Sequence, residues 1–234
     1  MNLAAKSDRM PGDDWAANGW ALLGGFLGPD EVAELRQEAE LLCADKALFA
    51  ARGAVPNSAT RSDRLDPVID VSRTFAALAL DRRLHAIASN ALDGQAQLLK
   101  DKFIAKPPGA SGYATHQDGA YWPGLDADLN RFLTAVIFLD DSTAENGAIE
   151  CAPGHHRELM TAPDTVADPD ETGLGPFTTI EAKSGDLLLI HALTPHRSGP
   201  NSSGGMRRAL LFTYGVDPRP DLYGVYRQLR QRYL

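Results

Sequence analysis

Residues 185–214 read GDLLLIHALTPHRSGPNSSGGMRRALLFTY, and this stretch decides the fold class. Asp186–Ile190 and Ala209–Tyr214 are short apolar runs, and Pro, Gly, Asn and Ser are frequent between them. Apolar runs of this length, bounded by turn residues, are typical of buried strands. We therefore predict two β-strands here, joined by a turn-rich connection.

Short apolar or alternating runs continue this pattern toward the N-terminus, back to residue 96. The runs are Ala96–Ala105, Phe132–Leu139, Gly147–Cys151 and Thr178–Ala182. Several short strands with turns between them favour an all-β barrel or a double-sheet jelly roll. The predicted fold class is therefore mainly β with flanking helices.

Helical patterns lie on both sides of this β core. An amphipathic helix starts at Pro29 or Asp30 and runs through Leu42, Ser72–Asn90 is a second helical pattern, and Asp221–Leu234 is a basic third one. We predict one domain over residues 1–234. It comprises a flexible segment 1–15, a helical part 16–93, a β core 94–216 and a C-terminal helix 217–234.

Composition argues against several classes of protein. Lysine and arginine number 23 against 31 acidic residues, and the net charge of −8 argues against nucleic acid or an anionic membrane as a partner. No run reaches signal-peptide or membrane-span length, and two cysteines without a C-x-x-C pair indicate reduced thiols. We predict a cytoplasmic monomer or small homo-oligomer with a small-molecule substrate.

A metal-binding pattern follows the run around Phe103. In His116-Gln117-Asp118, the outer two residues lie on one face of an extended chain, so both can reach one ion. His196, after the predicted strand Asp186–Ile190, is the best third ligand. Two histidines and one carboxylate with open positions are typical of non-haem iron(II) oxygenases. Alone, the triplet is a weak signal, because a surface-loop histidine would produce the same pattern.

Rival ligands are present elsewhere in the chain. His156 and Glu158 form an H-x-E pair beside His155, but no apolar strand precedes them. We interpret these two histidines as loop residues. His191 is interpreted as a pocket residue or a neighbour of the ligands, and His85 as structural or exposed.

Several blocks, taken in order, resemble the phytanoyl-CoA dioxygenase family over roughly residues 15–216. The blocks are Lys106–Gly109, His116–Asp118, Asn146–Glu150, Pro153–His156, Gly185–Leu189, His196–Ser202 and Arg207. The resemblance implies a double-stranded β-helix core (a cupin-like jelly roll), Fe(II), 2-oxoglutarate as cosubstrate, and O2. It also implies oxidation, chiefly hydroxylation, of an unactivated C–H bond, with release of succinate and CO2.

The resemblance also implies roles for individual residues. His116, Asp118 and His196 match the metal ligands. Arg207 matches the arginine that binds the far carboxylate of 2-oxoglutarate. The residues expected beside the cosubstrate are Ser198, which assists Arg207, and Gln117, Lys102 and Thr134, which line it.

The residue type at position 207 suits this role. A guanidinium group can form two parallel hydrogen bonds with a carboxylate, which a lysine cannot do. Arg207 precedes the predicted strand Ala209–Tyr214, and alternation along a strand directs Arg208 to the opposite face. The distance of eleven residues from His196, which matches the family pattern, assigns this role to Arg207 and not to Arg208.

Aromatic residues near the triad are candidates for the substrate pocket. They are Tyr113, Tyr121 and Trp122, although the last two are equally consistent with a small core under the loop. Arg61 and Arg64 in the loop 52–66 could attract an anion, and Ala162–Gly175 is a candidate lid. We expect a polar metabolite, a phosphonate or a natural-product intermediate as substrate.

Two other functional classes stay open at this stage. One is a non-catalytic metal-binding relative or sensor with the same fold. The other is a zinc or nickel cupin-type hydrolase or isomerase, which would need no 2-oxoglutarate.

Overall fold

Ten strands form two antiparallel sheets in the computed structural model, which describes residues 13–52, 63–122, 124–160 and 173–233. The strands are β1 (Trp20–Leu23), β2 (Arg64–Leu65), β3 (Gln97–Lys106), β4 (Tyr113–His116), β5 (Phe132–Phe138), β6 (Ile149–Cys151), β7 (Thr178–Ile180), β8 (Leu187–His191), β9 (His196–Ser198) and β10 (Arg207–Gly215). The larger sheet has the order β1-β8-β5-β10-β3-β2, and the smaller has the order β4-β9-β6-β7. The predicted mainly β, two-sheet fold is confirmed.

Six α-helices lie in the described part of the chain. They are α1 (Asp13–Asn18), α2 (Pro29–Ala44), α3 (Lys46–Arg52), α4 (Arg73–Ala79), α5 (Arg82–Ala91) and α6 (Leu222–Tyr233). The start of α2 is capped by Glu31, whose carboxylate accepts a hydrogen bond from the Gly28 backbone N–H at 2.8 Å. The predicted helices at Pro29–Leu42 and Asp221–Leu234 are therefore present.

The single helix predicted over Ser72–Asn90 is wrong, because the chain breaks there into α4 and α5. Asp81 lies in the break and caps α5, and its carboxylate accepts a hydrogen bond from the backbone N–H of Arg83 at 2.7 Å. An aspartate favours this capping position because its side chain satisfies a free N–H at the helix start. Both helices direct their apolar faces into one core, so the apolar spacing continues across the break.

The predicted flexible segment 1–15 lies mostly outside the described residues. Its last residues belong to α1, in which the ring of Trp15 packs 5.8 Å from that of His191. No described helix has the length and apolar character needed to cross a membrane. Cys43 and Cys151 are both free thiols, as predicted.

The two faces of the larger sheet pack against different partners. One face packs against α2, α4 and α5 in the main apolar core. The other faces the smaller sheet, where Val136 and Leu188 pack in one cluster with Ile149 and Ile180. The inner face of the larger sheet therefore forms one wall of the space between the sheets.

Strand register places polar residues at both ends of this inner wall. Lys106 pairs with Arg207 at one end of the β3–β10 ladder. Near the other end, Lys100 pairs with Thr213, which in turn pairs with Thr134 on β5. The inner wall is therefore polar at both ends, and between them it carries apolar residues and one lysine, Lys102.

Candidate active site

His116, Asp118 and His196 meet at one edge of the smaller sheet. His116 ends β4, His196 begins β9, and the two residues are direct cross-strand partners. Asp118 opens a short 3-10 helix, Asp118–Tyr121, directly after β4. One potential ligand atom from each side chain lies within 4.8 Å of the others, so all three can bind one ion.

Both imidazole rings are oriented by backbone carbonyl groups. Nδ1 of His116 donates to the carbonyl oxygen of Ala114 at 2.8 Å, and Nδ1 of His196 donates to that of Thr194 at 2.9 Å. Each bond holds the proton on Nδ1, so Nε2 is left with its lone pair for a metal. Burial, and then the neighbouring His196, lower the pKa of His116 to about 3.

The two oxygens of the Asp118 carboxylate have different neighbours. Oδ1 lies 3.9 Å from Nε2 of His116, and Oδ2 accepts a 2.6 Å hydrogen bond from Oγ1 of Thr134. Burial alone would raise the pKa of Asp118, but Lys102, the two histidines and the Thr134 bond hold it well below its usual range. Two neutral imidazoles and one carboxylate are the donor set that suits a divalent iron centre.

Arg207 lines the same cavity as the triad and has an unusual environment. Its side chain is only 3% exposed, and its Nε is buried without a hydrogen-bond partner. The adjacent Arg208 faces the other way and makes a two-fold ion pair with Asp140 at 2.8 and 2.9 Å. A buried guanidinium without an ion pair in the described chain fits a carboxylate ligand, and 2-oxoglutarate supplies one.

Lys106 is a further buried cation beside the cavity residue Ser198, and it was not anticipated from the sequence. It is fully buried, and its ammonium donates to Oγ of Ser198 at 3.2 Å and to the carbonyl oxygen of Gly199. Because the Ser198 oxygen accepts this bond, its own hydroxyl proton can be donated to an anion. The sequence held one sign of a functional role for Lys106, because this residue opens the Lys106–Gly109 block. Its burial could not be expected, since lysines are rarely fully buried.

Comparison with known proteins agrees with this donor set. The family model for phytanoyl-CoA dioxygenase (PhyH) matches residues 15–209. The chain belongs to the phytanoyl-CoA dioxygenase family. It is an Fe(II)- and 2-oxoglutarate-dependent dioxygenase, because the relatives and the solved structures described next share that chemistry.

Two curated relatives of this dioxygenase cover most of its length. The 2-aminoethylphosphonate dioxygenase of the uncultured bacterium HF130_AEPn_1 is 27% identical, over 86% of this chain and 78% of its own. The methylphosphonate hydroxylase of Gimesia maris is 27% identical, over 92% and 83%. The solved structure of the epimerase SnoN with Fe3+, alpha ketoglutarate and nogalamycin RO is 25% identical, with a TM-score of 0.75 over 86% and 80%.

Gln117 does not line the cavity of this dioxygenase, which corrects the position expected from the family. Its side chain is fully buried on the far side of the metal loop. Its Nε2 donates to the carbonyl oxygens of Glu158 and Leu193 at 2.8 and 2.6 Å, and its Oε1 accepts from the Met160 N–H at 2.7 Å. Alternation along the chain explains this, because the residue between two ligands that share a face points away from them.

The three aromatic candidates for the substrate pocket lie in different places. Tyr113 lines the cavity. Tyr121 is 40% exposed, and its ring meets that of His116 edge-on at 5.7 Å, at the rim of the triad. Trp122 is instead a core residue that packs 5.5 Å from Phe132, so its expected place in the pocket wall is corrected.

The rival histidines lie apart from the triad. The rings of His156 and His191 are 5.4 Å from each other, and burial lowers the pKa of His191 to about 4. His191 bonds to the backbone of Asn130 and Leu193, so it holds loops together. Within the described ranges, His116, Asp118 and His196 are the one group that could hold a metal.

The cavity between the sheets is partly open to solvent. Apart from the groups already described, its walls are largely apolar. They include Ile104, Val136, Ile149, Ile190, Ala209 and Leu211. Most of the predicted pocket loop 52–66 (with Arg61) and of the predicted lid Ala162–Gly175 lies outside the described residues.

Proposed function

We propose that this dioxygenase holds Fe(II) with His116, Asp118 and His196 and holds the far carboxylate of 2-oxoglutarate with Arg207, and that it hydroxylates a C–H bond of a small molecule. The observation that carries the proposal is that three potential metal ligands and a buried guanidinium, which has no ion pair with any described residue, line one cavity. Ser198 and Lys106 complete the carboxylate site in this proposal.

Iron and 2-oxoglutarate, when bound, supply the oxidation, in which O2 gives one oxygen atom to succinate and the other to the substrate, with release of CO2. The chain contributes position and environment. Arg207 sets the direction of the cosubstrate, because a two-point bond fixes orientation as well as distance. Apolar walls such as Val136 and Ile190 exclude water from the reacting atoms.

An intact carboxylate at position 118 favours hydroxylation in this proposal. Halogenases of this chemical type have a small residue in its place, which leaves room for chloride. The Thr134 bond keeps Asp118 in position, so Thr134 acts as a positioning residue and not as a direct cosubstrate contact.

The named relatives support a small, polar substrate. The two curated relatives act, by name, on 2-aminoethylphosphonate and methylphosphonate. A cytoplasmic location, a single domain over 1–234, and a monomer or small homo-oligomer stay predictions.

The test is succinate formation that depends on both iron and 2-oxoglutarate. We expect His116→Ala to abolish turnover and Arg207→Ala to raise the KM for 2-oxoglutarate by about 30-fold or more, because a buried charge partner is lost. Arg208→Gln is the matched control, since its side chain faces Asp140 and not the cavity. Its KM for the cosubstrate should stay near that of the wild type.

Each alternative class predicts a different result in this assay. No binding of 2-oxoglutarate and no succinate with any substrate would favour a non-catalytic sensor. Catalysis that survives Arg207→Ala and needs no 2-oxoglutarate would favour a metal-dependent hydrolase or isomerase. Metal binding and turnover retained in His116→Ala would contradict the proposed ligand set.

A further inference from the structure

A second cation without a partner lines the cavity, away from Arg207. Lys102 projects from β3 into the same space as the triad. Its ammonium makes no hydrogen bond or ion pair with any residue that the structure describes. Burial lowers the pKa of Lys102 to about 8, and Asp118 partly opposes that shift. A buried cation without a partner lowers the free energy of unfolding unless an anion binds beside it.

Strand register separates Lys102 from the carboxylate site at Arg207. Lys106 pairs with Arg207, whereas Lys102 pairs with Leu211, four residues further along each strand. Four residues of a strand span roughly 13 Å. The apolar pair Ile104 and Ala209 lies between the two positions. Lys102 therefore lies in a different part of the cavity from the group proposed to hold the far carboxylate of the cosubstrate, on the side of Asp118.

Lys100 is the next residue of β3 on the same face, and it extends the positive region. Its Nζ lies 3.8 Å from a carboxylate oxygen of Asp66 and 5.7 Å from the ring of Tyr226 on α6. Burial alone would lower the pKa of Lys100, but Tyr226, Asp66 and Asp118 raise it above its usual value. Lys100 is therefore charged at neutral pH, and α6 covers this end of the wall.

Arg64 contributes a third positive charge from the neighbouring strand. It lies on β2 opposite Ile104, and its Nε is buried without a hydrogen-bond partner. Its charge acts on both Lys100 and Lys102. Among the described residues, the carboxylates that act on both lysines are Asp66 and Asp118, and the proposed function reserves Asp118 for the metal.

We propose that Lys102, supported by Lys100, binds an oxyanion of the primary substrate, so that the substrate is a small anionic molecule such as a phosphonate. This inference rests on the proposed function of the same site. It replaces the cosubstrate-lining role that the family resemblance implied for Lys102. Val136 and Leu211 lie beside Lys102 in the same row and would contact the carbon part of such a substrate.

The proposal can be tested by anion binding to the full-length protein with Fe(II), in the absence of oxygen. The charge-transfer absorption of the iron–2-oxoglutarate complex reports cosubstrate binding, and its change on titration with methylphosphonate reports binding at the substrate position. We expect Lys102→Met to weaken methylphosphonate binding about 10- to 100-fold, as loss of a hydrogen bond to a charged group implies. The affinity for 2-oxoglutarate should be little changed.

Three further variants separate charge from structure. Lys102→Arg keeps the charge and should retain most of the methylphosphonate binding. Lys100→Met should weaken that binding less than Lys102→Met does, because Asp66 already compensates part of the Lys100 charge. Lys183→Met is the matched control, since this exposed lysine pairs with Asp141 on the surface. Lys102→Met should melt no lower than the wild type, because it removes an unpaired buried charge.

Failure of this inference differs from failure of the proposed function. A wild-type protein with no 2-oxoglutarate-dependent absorption would refute the proposed function. Normal cosubstrate binding with no response to methylphosphonate, 2-aminoethylphosphonate, methanesulfonate or acetate would overturn the inference alone. A Lys102→Met protein that loses 2-oxoglutarate more than methylphosphonate, or methylphosphonate that competes with 2-oxoglutarate, would return Lys102 to the cosubstrate site and also overturn it.

Discussion

Removal of the Thr134 hydroxyl group tests whether metal affinity depends on the hydrogen bond to Oδ2 of Asp118. In Thr134→Val the donor to Oδ2 of Asp118, now at 2.6 Å, is lost while the side chain keeps its shape. Thr134 is 1% exposed, and a valine side chain offers no donor in place of the lost hydroxyl. Oδ1 is left as the oxygen nearest to His116 but is no longer held in place.

The size of the effect follows from the type of hydrogen bond. A hydrogen bond to a charged group contributes about 1.5–3 kcal/mol net. A tenfold change in a dissociation constant corresponds to about 1.4 kcal/mol. If this free energy orients the carboxylate for the metal, the Kd for Fe(II) should rise about 10- to 100-fold, as for other partners of metal ligands. Proton competition adds little, because the pKa of Asp118 is already well below neutral pH.

Anaerobic titration of the full-length protein with Fe(II), followed by calorimetry, measures this change. Thr213→Val is the matched control, because the Thr213 hydroxyl contacts that of Thr134 at 3.1 Å and lies one bond further from Asp118. The control should bind Fe(II) much as the wild type does. If both variants bind equally well, or if Thr134→Val binds like the wild type, the positioning role of Thr134 is refuted.

Three other perturbations have expected outcomes. Arg207→Lys should raise the KM for 2-oxoglutarate by about tenfold or more in steady-state assays, since an ammonium cannot make the two-point bond, and an unchanged KM would argue against that bond. Tyr214→Phe should lower Tm by about 2–4 °C in calorimetry, because the carbonyl of Ala79 loses its 2.7 Å hydrogen bond from a buried hydroxyl. Burial would raise the pKa of Asp81, but the Arg83 hydrogen bonds lower it overall, so its contribution to stability is present above the unfolded value near pH 4 and is lost as pH falls through the lower folded value. In Arg83→Met, the free energy of unfolding should therefore fall less steeply below about pH 4 than in the wild type, with a total difference of less than about 1 kcal/mol. Identical pH dependence in the variant and the wild type would contradict this prediction.

Local patterns in the sequence were sufficient for the main strands, whereas the triad was identified by the ordered motifs that the chain shares with the family, since the triplet alone is a weak signal. Buried strands such as β5 and β8 are continuous apolar runs, and the two-residue spacing of His116 and Asp118 already places them on one face. Strands β2, β4 and β9 have only two to four residues, too few for a periodic pattern. The N-cap at Asp81 was missed, because the apolar spacing continues on either side of it.

Other features depend on contacts between distant parts of the chain. Gln117 bonds to residues 41 and 76 positions away, so its neighbours could not be deduced from its own segment. Lys106 can be buried because its ammonium donates hydrogen bonds to Ser198 and Gly199, which lie 92 and 93 positions further along the chain. The unpaired state of Lys102 is likewise a property of the assembled cavity, since composition cannot tell which lysines are buried.

The direct pairing of His116 with His196 makes metal binding a reporter of strand registry. A slip of one residue between β4 and β9 would turn one histidine to the opposite face of the sheet, although most of the apolar core would be unchanged. Such a chain could have native secondary structure and still bind no metal at this site. Conversely, a metal that binds one register alone stabilises that register by RT ln(1 + [L]/Kd). Iron that binds during folding would therefore favour the native register of the edge strand.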